Sequence, residues 1–217
     1  LSLLFVPPAE GGGMEIIMYQ IKLLNHQDEI LSCPQFLIQF FNWGGNYRPY
    51  SYGYAGLLKE KGLLVRLYSQ EADPLCTYDQ SNDPVYLDSA LEAFFQLDPE
   101  HSKSYINLEL NAAGVLLAKF GEGREKRTFF SQKQIDRCHV RHGRSQDFWW
   151  VQILLPFSVI EDFYGPLSLE AGSKIRCNFY KISESKSLEH YASYAPIYYP
   201  KPNFHLPEFF ADAVISK

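Results

Sequence analysis

No apolar run in the 217 residues approaches the roughly 18 that a membrane-spanning helix needs, so the sequence excludes a helical span. The chain also has no excess of positive charge. Twenty Lys and Arg stand against 25 Asp and Glu, scattered along a chain of net charge -5, and no basic stripe is left to follow a nucleic-acid backbone. The four cysteines, Cys33, Cys76, Cys138 and Cys177, lie far apart and form no Cys-x-x-Cys pair, so zinc-site spacing is absent. Their number would allow two disulfides, but a chain of this length does not need them, and free buried thiols are the expectation. His139 and His142 are three residues apart, a spacing that by itself falls short of a transition-metal site. No repeat with a period of roughly 20 to 50 residues is visible.

What is present is aromatic and turn-rich. An aromatic content of 16% with 13 Pro and 14 Gly favours many short strands joined by turns over a helical bundle. Leu1–Val6 followed by Pro7-Pro8-Ala9-Glu10-Gly11-Gly12-Gly13 reads as a prefix of 13 residues, either an added or a processed segment, ahead of a plausible start at Met14. With Met14 as the start the expectation is a cytoplasmic protein; with the prefix as the remnant of a secretion signal it is an extracellular one. Residues 14–217 then form one domain of ordinary size. Strand candidates are Glu15–Leu24, the apolar segment Phe36–Asn42, and the alternating run from Leu63 to Ser69. Gly44–Tyr50 is a loop, Tyr54–Lys61 is a strand or one helical turn, and Gly121–Arg127 is a charged turn. The stretch from Gln132 to Gln146 is too polar to assign. Short strands without long amphipathic helices between them indicate an all-β fold, an antiparallel β-sandwich.

The stretch from Asn82 to Asn111 is the most ordered part of this pattern. Ser89, Leu91, Ala93, Phe95 and Leu97 alternate with Asp88, Ala90, Glu92, Phe94 and Gln96; farther on, Ile106, Leu108 and Leu110 alternate with Tyr105, Asn107, Glu109 and Asn111. Paired as a hairpin across Asp98–Lys103, the two runs give one core face and one polar face carrying carboxylates, amides and aromatics. Sugar hydroxyls call for such a mixture: planar donors and acceptors for the rim, and an aromatic face for the C–H side of the ring.

Val85–Phe95, followed by Tyr105–Asn111 and Gly114, resembles the central motif of the family 9-like carbohydrate-binding modules. Three later blocks agree in order: Trp149–Phe157 with its Pro-Phe ending, Gly172–Tyr180 with Arg176-Cys177-Asn178, and Tyr194-Ala195-Pro196 with Asn203–Phe210. The resemblance spans about Trp43 to Ile215. It implies a jelly-roll-like sandwich that binds a small saccharide or a polysaccharide chain end without chemistry, of the kind that accompanies xylanases and other glycoside hydrolases. It also implies a sugar held between two aromatic rings. Tyr86 and Phe204 stand at those positions, where the best-known members carry tryptophan. Glu92 and Asn111 match polar positions that contact hydroxyls, with Glu109 on the same face, and Tyr180 and His205 lie where further side chains reach the cleft. Structural calcium near loops is a further implication, for which Glu71, Asp73, Asp79 and Asp83 are the candidates, although no EF-hand spacing is present.

Other readings stay open at this stage. Tyr86 and Phe204 could be core residues, and His205 could cap a local backbone group. Glu92 and Glu109 could serve as the carboxylate pair of a glycoside hydrolase. A haem-carrying sandwich would want a Met and His axial pair, yet the only methionines are Met14 and Met18.

Overall fold

The computed structural model describes residues 18–217, so the prefix and Met14 lie outside the described residues. The strands are β1 (Tyr19–Leu24), β2 (Phe36–Ile38), β3 (Phe40–Gly44), β4 (Ser51–Leu58), β5 (Gly62–Ser69), β6 (Ala90–Gln96), β7 (Tyr105–Asn111), β8 (Leu116–Glu122), β9 (Lys126–Phe129), β10 (His139–Arg144), β11 (Trp149–Pro156), β12 (Lys174–Ser183), β13 (His190–Ser193) and β14 (Ala211–Ser216). Two short helices, α1 (Gln132–Ile135) and α2 (Phe157–Tyr164), are the α-helical elements among the described residues. The expected strand from Glu15 is described only from Tyr19, and the stretch left unassigned holds α1 and β10.

The strands form one continuous curled sheet in the order β10-β11-β5-β4-β1-β14-β12-β6-β7-β8-β9, with β13 and β2 joined at the side of β12 and β4. Its two halves fold over each other as a sandwich. Val65 and Leu67 of β5 and Val151, Ile153 and Leu155 of β11 share one core with Leu91, Ala93 and Phe95 of β6 and Ile106, Leu108 and Leu110 of β7. The expected antiparallel pairing holds for most of the sheet. The correction is β1, which runs parallel to both β4 and β14. No helix among the described residues is long and apolar enough to cross a membrane.

A second correction concerns the polar face of the β6–β7 hairpin. It is not a solvated surface: every residue of both strands is buried. Ala90, Phe94, Tyr105, Tyr180 and Ile182 on this side pack with Tyr191 of β13 and with Ile197, Phe204 and Phe210, which the segment after β13 lays across the sheet. Likewise Asn178 and Tyr180 on β12 are fully buried. A polar face covered in this way must satisfy its own hydrogen bonds, because burying an unpaired donor or acceptor costs about 1–3 kcal/mol.

One ion pair crosses the sandwich interior. Lys181 of β12 places Nζ 3.2 Å from Glu71 Oε2, both side chains being almost wholly buried. Glu71 also accepts from Trp149 Nε1 at 2.8 Å and Ser89 Oγ at 3.0 Å, while Lys181 donates to His190 Nε2 at 2.9 Å. Burial alone would raise the Glu71 carboxyl, but the Lys181 charge and these hydrogen bonds outweigh it and hold it below its usual range. Burial, seconded by the Lys181 charge, pushes His190 down to about 3, so its ring is neutral, with Nε2 free to accept. Glu71→Ala, which strands a buried ammonium, is expected to cost about 3–5 kcal/mol in a chemical denaturation experiment. Replacing both partners, as Glu71→Leu with Lys181→Met, should recover most of that loss.

Candidate functional site

The site grows from register. Tyr180 of β12, Glu92 of β6, Glu109 of β7 and Leu117 of β8 are successive cross-strand partners, so they form a row across the covered face of the sheet. Residues directly opposite in an antiparallel pair have Cβ atoms about 4.5–5.5 Å apart, which sets the Glu92 and Glu109 carboxyls side by side. Around this floor rises a cleft of about 250 Å³. Its walls carry Tyr86 from the 3-10 turn Val85–Leu87, Tyr191 of β13, Glu184 beyond β12, and Asn203, Phe204 and His205 from the covering segment. The charged turn between β8 and β9 contributes Arg124, and β9 contributes Arg127.

Close backbone approach holds that turn in place. Gly121 has a φ of +146°, and a Cβ built there would collide with the Lys126 carbonyl on β9, so only glycine fits. Arg127 then reaches the cleft floor, donating from Nη1 to Asn107 Oδ1 at 2.6 Å, while Asn107 Nδ2 donates to Glu109 Oε1 at 2.9 Å. Arg127 Nη2 lies 3.2 Å from His205 Nε2. Because a guanidinium only donates, Nε2 accepts, and the imidazole proton sits on Nδ1, 3.0 Å from Tyr105 Oη. Burial, with the charges of Arg127, Arg124 and Lys119, drives His205 well below its ordinary value, in keeping with a neutral ring.

Six of the seven residues expected to bind sugar belong to this cleft or its immediate support. Tyr86, Glu92, Glu109, Phe204 and His205 line it. Tyr180 lies underneath, its ring stacked on Phe204 with centroids 4.1 Å apart and its hydroxyl bonded to the Phe204 carbonyl. Asn111 is not brought to the cleft. Its side chain is spent elsewhere: Nδ2 donates to the Tyr78 carbonyl and to Asp88 Oδ2, and Oδ1 accepts from the Ala113 and Val115 amides. Nor does His205 cap a local backbone group; its ring bonds to Tyr105 and Arg127. The four acidic calcium candidates do not converge. Glu71 is committed to Lys181, Asp73 pairs with Arg144 at the surface, and Asp83 accepts from the Gln80 amide. Among the described residues no group of three or more His, Cys, Asp or Glu side chains is placed to hold a metal ion. Arg124, Arg127 and Lys119 were missed, because a charged turn in a sequence looks solvated until its hairpin is known to fold inward.

The floor is electrostatically unusual. The Glu92 carboxyl has no hydrogen-bond partner among the described residues, and burial, with the Glu109 and Glu184 charges, raises it well above the usual range. Glu109, raised by burial and drawn partly back by Arg127 and Lys119, titrates at about 7. Near neutrality the floor therefore carries a protonated carboxyl beside a partly ionised one, able to donate and to accept at adjacent points.

A β-sandwich whose covered face opens into an aromatic-walled cleft with a donor and acceptor floor is the architecture of a carbohydrate-binding module. The sequence agrees: residues 33–215 match carbohydrate-binding family 9, and the chain belongs to that family. Family membership makes it a non-catalytic, carbohydrate-binding protein. Among solved structures it is similar to a candidate carbohydrate-binding protein from Bacteroides uniformis ATCC 8492, with a TM-score of 0.78, 21% identity, and coverage of 92% of this chain and 99% of that one. It is also similar to a family 9 module from Caldicellulosiruptor kristjanssonii. The complex of that module with cellotriose gives a TM-score of 0.62 at 9% identity, covering 92% of this chain and 93% of that one. Its complex with glucose gives 0.60 at 10% identity, covering 91% and 95%. These likenesses establish the fold. No curated protein is significantly similar to the chain in sequence.

The raised Glu109 has a measurable consequence. An unfolded Glu ionises near 4.5 and the folded one near 7, so folding binds an extra proton between these values. The stability this group contributes is complete below about pH 4.5 and is lost as pH rises through about 7. Glu109→Gln removes the effect. Its melting temperature should gain on that of the wild type as pH increases from 4.5 to 7.5, and a constant difference across that range would contradict the shift.

Proposed function

We propose that the cleft holds the ring of a mono- or oligosaccharide, or the end of a polysaccharide chain, between Tyr86 and Phe204, and releases it unchanged. The observation that carries this reading is that two aromatic side chains 118 positions apart in the sequence line one small cleft, over a carboxyl pair of which Glu92 has no partner of its own. An aromatic face suits the C–H side of a pyranose, and the carboxyls, Asn203 and Arg127 suit its hydroxyls. Hydrolysis is disfavoured by the same geometry. Glu92 and Glu109 lie side by side beneath one face of any ring in the cleft, whereas glycoside hydrolysis needs carboxyls flanking the scissile bond. The haem reading fails on its ligands: Met18 lies ahead of β1, and His205 is bonded to Tyr105 and Arg127.

The two aromatics should respond differently to truncation. Tyr86 is partly exposed, so Tyr86→Ala should weaken sugar binding by about 1–3 kcal/mol with little change in melting temperature. Phe204 is 5% exposed and stacked on Tyr180, so Phe204→Ala should cost about 3–5 kcal/mol of stability as well as affinity. A glycan array followed by titration of the intrinsic fluorescence tests both, with dissociation constants expected between micromolar and millimolar, or roughly 4–8 kcal/mol. Unchanged affinity in Tyr86→Ala would remove the clamp from the cleft. Release of reducing sugar from plant polysaccharides, abolished by Glu92→Gln, would overturn the non-catalytic reading.

A further inference from the structure

The cleft has a charge that the chain as a whole does not share. The net charge of the protein is -5, yet Lys119, Arg124 and Arg127 all come to the wall built by β8, β9 and the turn between them. None of the three forms an ion pair among the described residues. Arg127 spends its guanidinium on neutral acceptors: Asn107 Oδ1, the Arg124 carbonyl at 3.2 and 3.3 Å, and His205 Nε2. Asn107 stands between Arg127 and Glu109, accepting from the one and donating to the other, so that guanidinium does not reach the carboxyl. Lys119 lies two residues beyond Leu117 on the same face of β8, its Nζ 4.0 Å from the centre of the Phe129 ring. Arg124 lends its carbonyl to Arg127, but its own guanidinium has no hydrogen-bond partner among the described residues. It lines the cleft and is exposed, which puts it at the rim.

Four carboxyls share the cleft without cancelling this charge. Burial, with its acidic neighbours, keeps Glu92 protonated near neutrality, and Glu109 titrates at about 7. Glu184 is raised as well, by burial. Glu125 is exposed on the turn, where water and salt screen it. Even with Glu125 and Glu184 fully ionised, the three cations outnumber the ionised carboxyls at about pH 6.

We propose that the saccharide taken by this cleft is acidic, a hexuronate unit whose carboxylate is received by the Arg124 guanidinium, with Lys119 and Arg127 adding to the attraction. A carboxylate matches the guanidinium fork with two parallel N–H···O bonds, which a neutral hydroxymethyl group cannot form. Apolar cleft walls concentrate the field of the three cations on that group. An uncharged pyranose meets the same rings and the same floor but leaves Arg124 unused.

The inference rests on the saccharide reading of the cleft and names its substrate class, and the experiment separates the two. Wild-type protein is titrated, with intrinsic fluorescence as the readout, against glucuronate, galacturonate, glucose and galactose, each acid differing from its neutral partner only at C6. At about pH 6 and low salt, at least one uronate should bind about tenfold or more tightly than its neutral partner, and the ratio should shrink in high salt. The methyl ester of that uronate, close in shape and without charge, should fall to the neutral level. In Arg124→Gln the ratio should drop to about one, and Arg124→Lys should restore part of it. Because the readout is a ratio, a general disturbance of the cleft cancels. Neutral sugars bound as tightly as the uronates would overturn the acidic ligand and spare the saccharide reading. A uronate preference that survives Arg124→Gln would overturn the placement of the carboxylate, and the proposal with it. Binding of neither uronate also overturns the acidic ligand, whereas the saccharide reading falls only with a glycan array that is silent throughout.

Discussion

The pair Lys181–Glu71 is the constraint on which the rest of the sandwich depends. It joins a strand from one half of the curled sheet to the end of a strand in the other, through an interior otherwise filled by aliphatic and aromatic side chains. Such a pair contributes little net stability, since desolvation offsets most of the attraction, but it tolerates only one relative placement of the two halves. Trp149, Ser89 and His190 complete its hydrogen bonds, so β11, the approach to β6, and β13 are all positioned by the same two charges. Ser89 immediately precedes β6, and the β6 register decides where Glu92 comes to lie.

The covering segment between β13 and β14 turns a polar sheet face into a site. Phe204 on Tyr180 and His205 on Phe94 anchor it by stacking, and the Tyr105 hydroxyl ties it to the β8–β9 turn. Without this cover the Glu92 and Glu109 carboxyls would sit in water at ordinary pKa values, and the aromatic walls would be absent.

Much of the architecture was legible in the alternation of polar and apolar residues. The β6–β7 hairpin and its inward face follow from a period of two, and four motifs in order were enough to indicate the family. The burial of the second face was not legible. Alternation separates polar from apolar residues but says nothing about whether a distant segment covers the polar side; Glu92 and Asn178 look alike in sequence whether solvated or enclosed. The parallel placement of β1 escaped for a related reason, since pairing direction depends on long-range topology. Asn111 shows a further limit: an amide that the family resemblance assigned to sugar contact here serves the turn after β7 and the loop around Tyr78. Arg127 is the converse case, a residue in a charged turn that becomes the most connected group on the cleft floor.

The raised carboxyls of the floor tie ligand occupancy to the acid–base state of the solution. A ligand that accepts from Glu92 favours the protonated floor, and one that donates to both carboxyls favours the ionised one. In either case protons are exchanged with the solvent on binding. The heat measured in a calorimeter would then change with the ionisation enthalpy of the buffer, and the sign of that dependence would reveal whether the sugar meets the floor as acceptor or as donor.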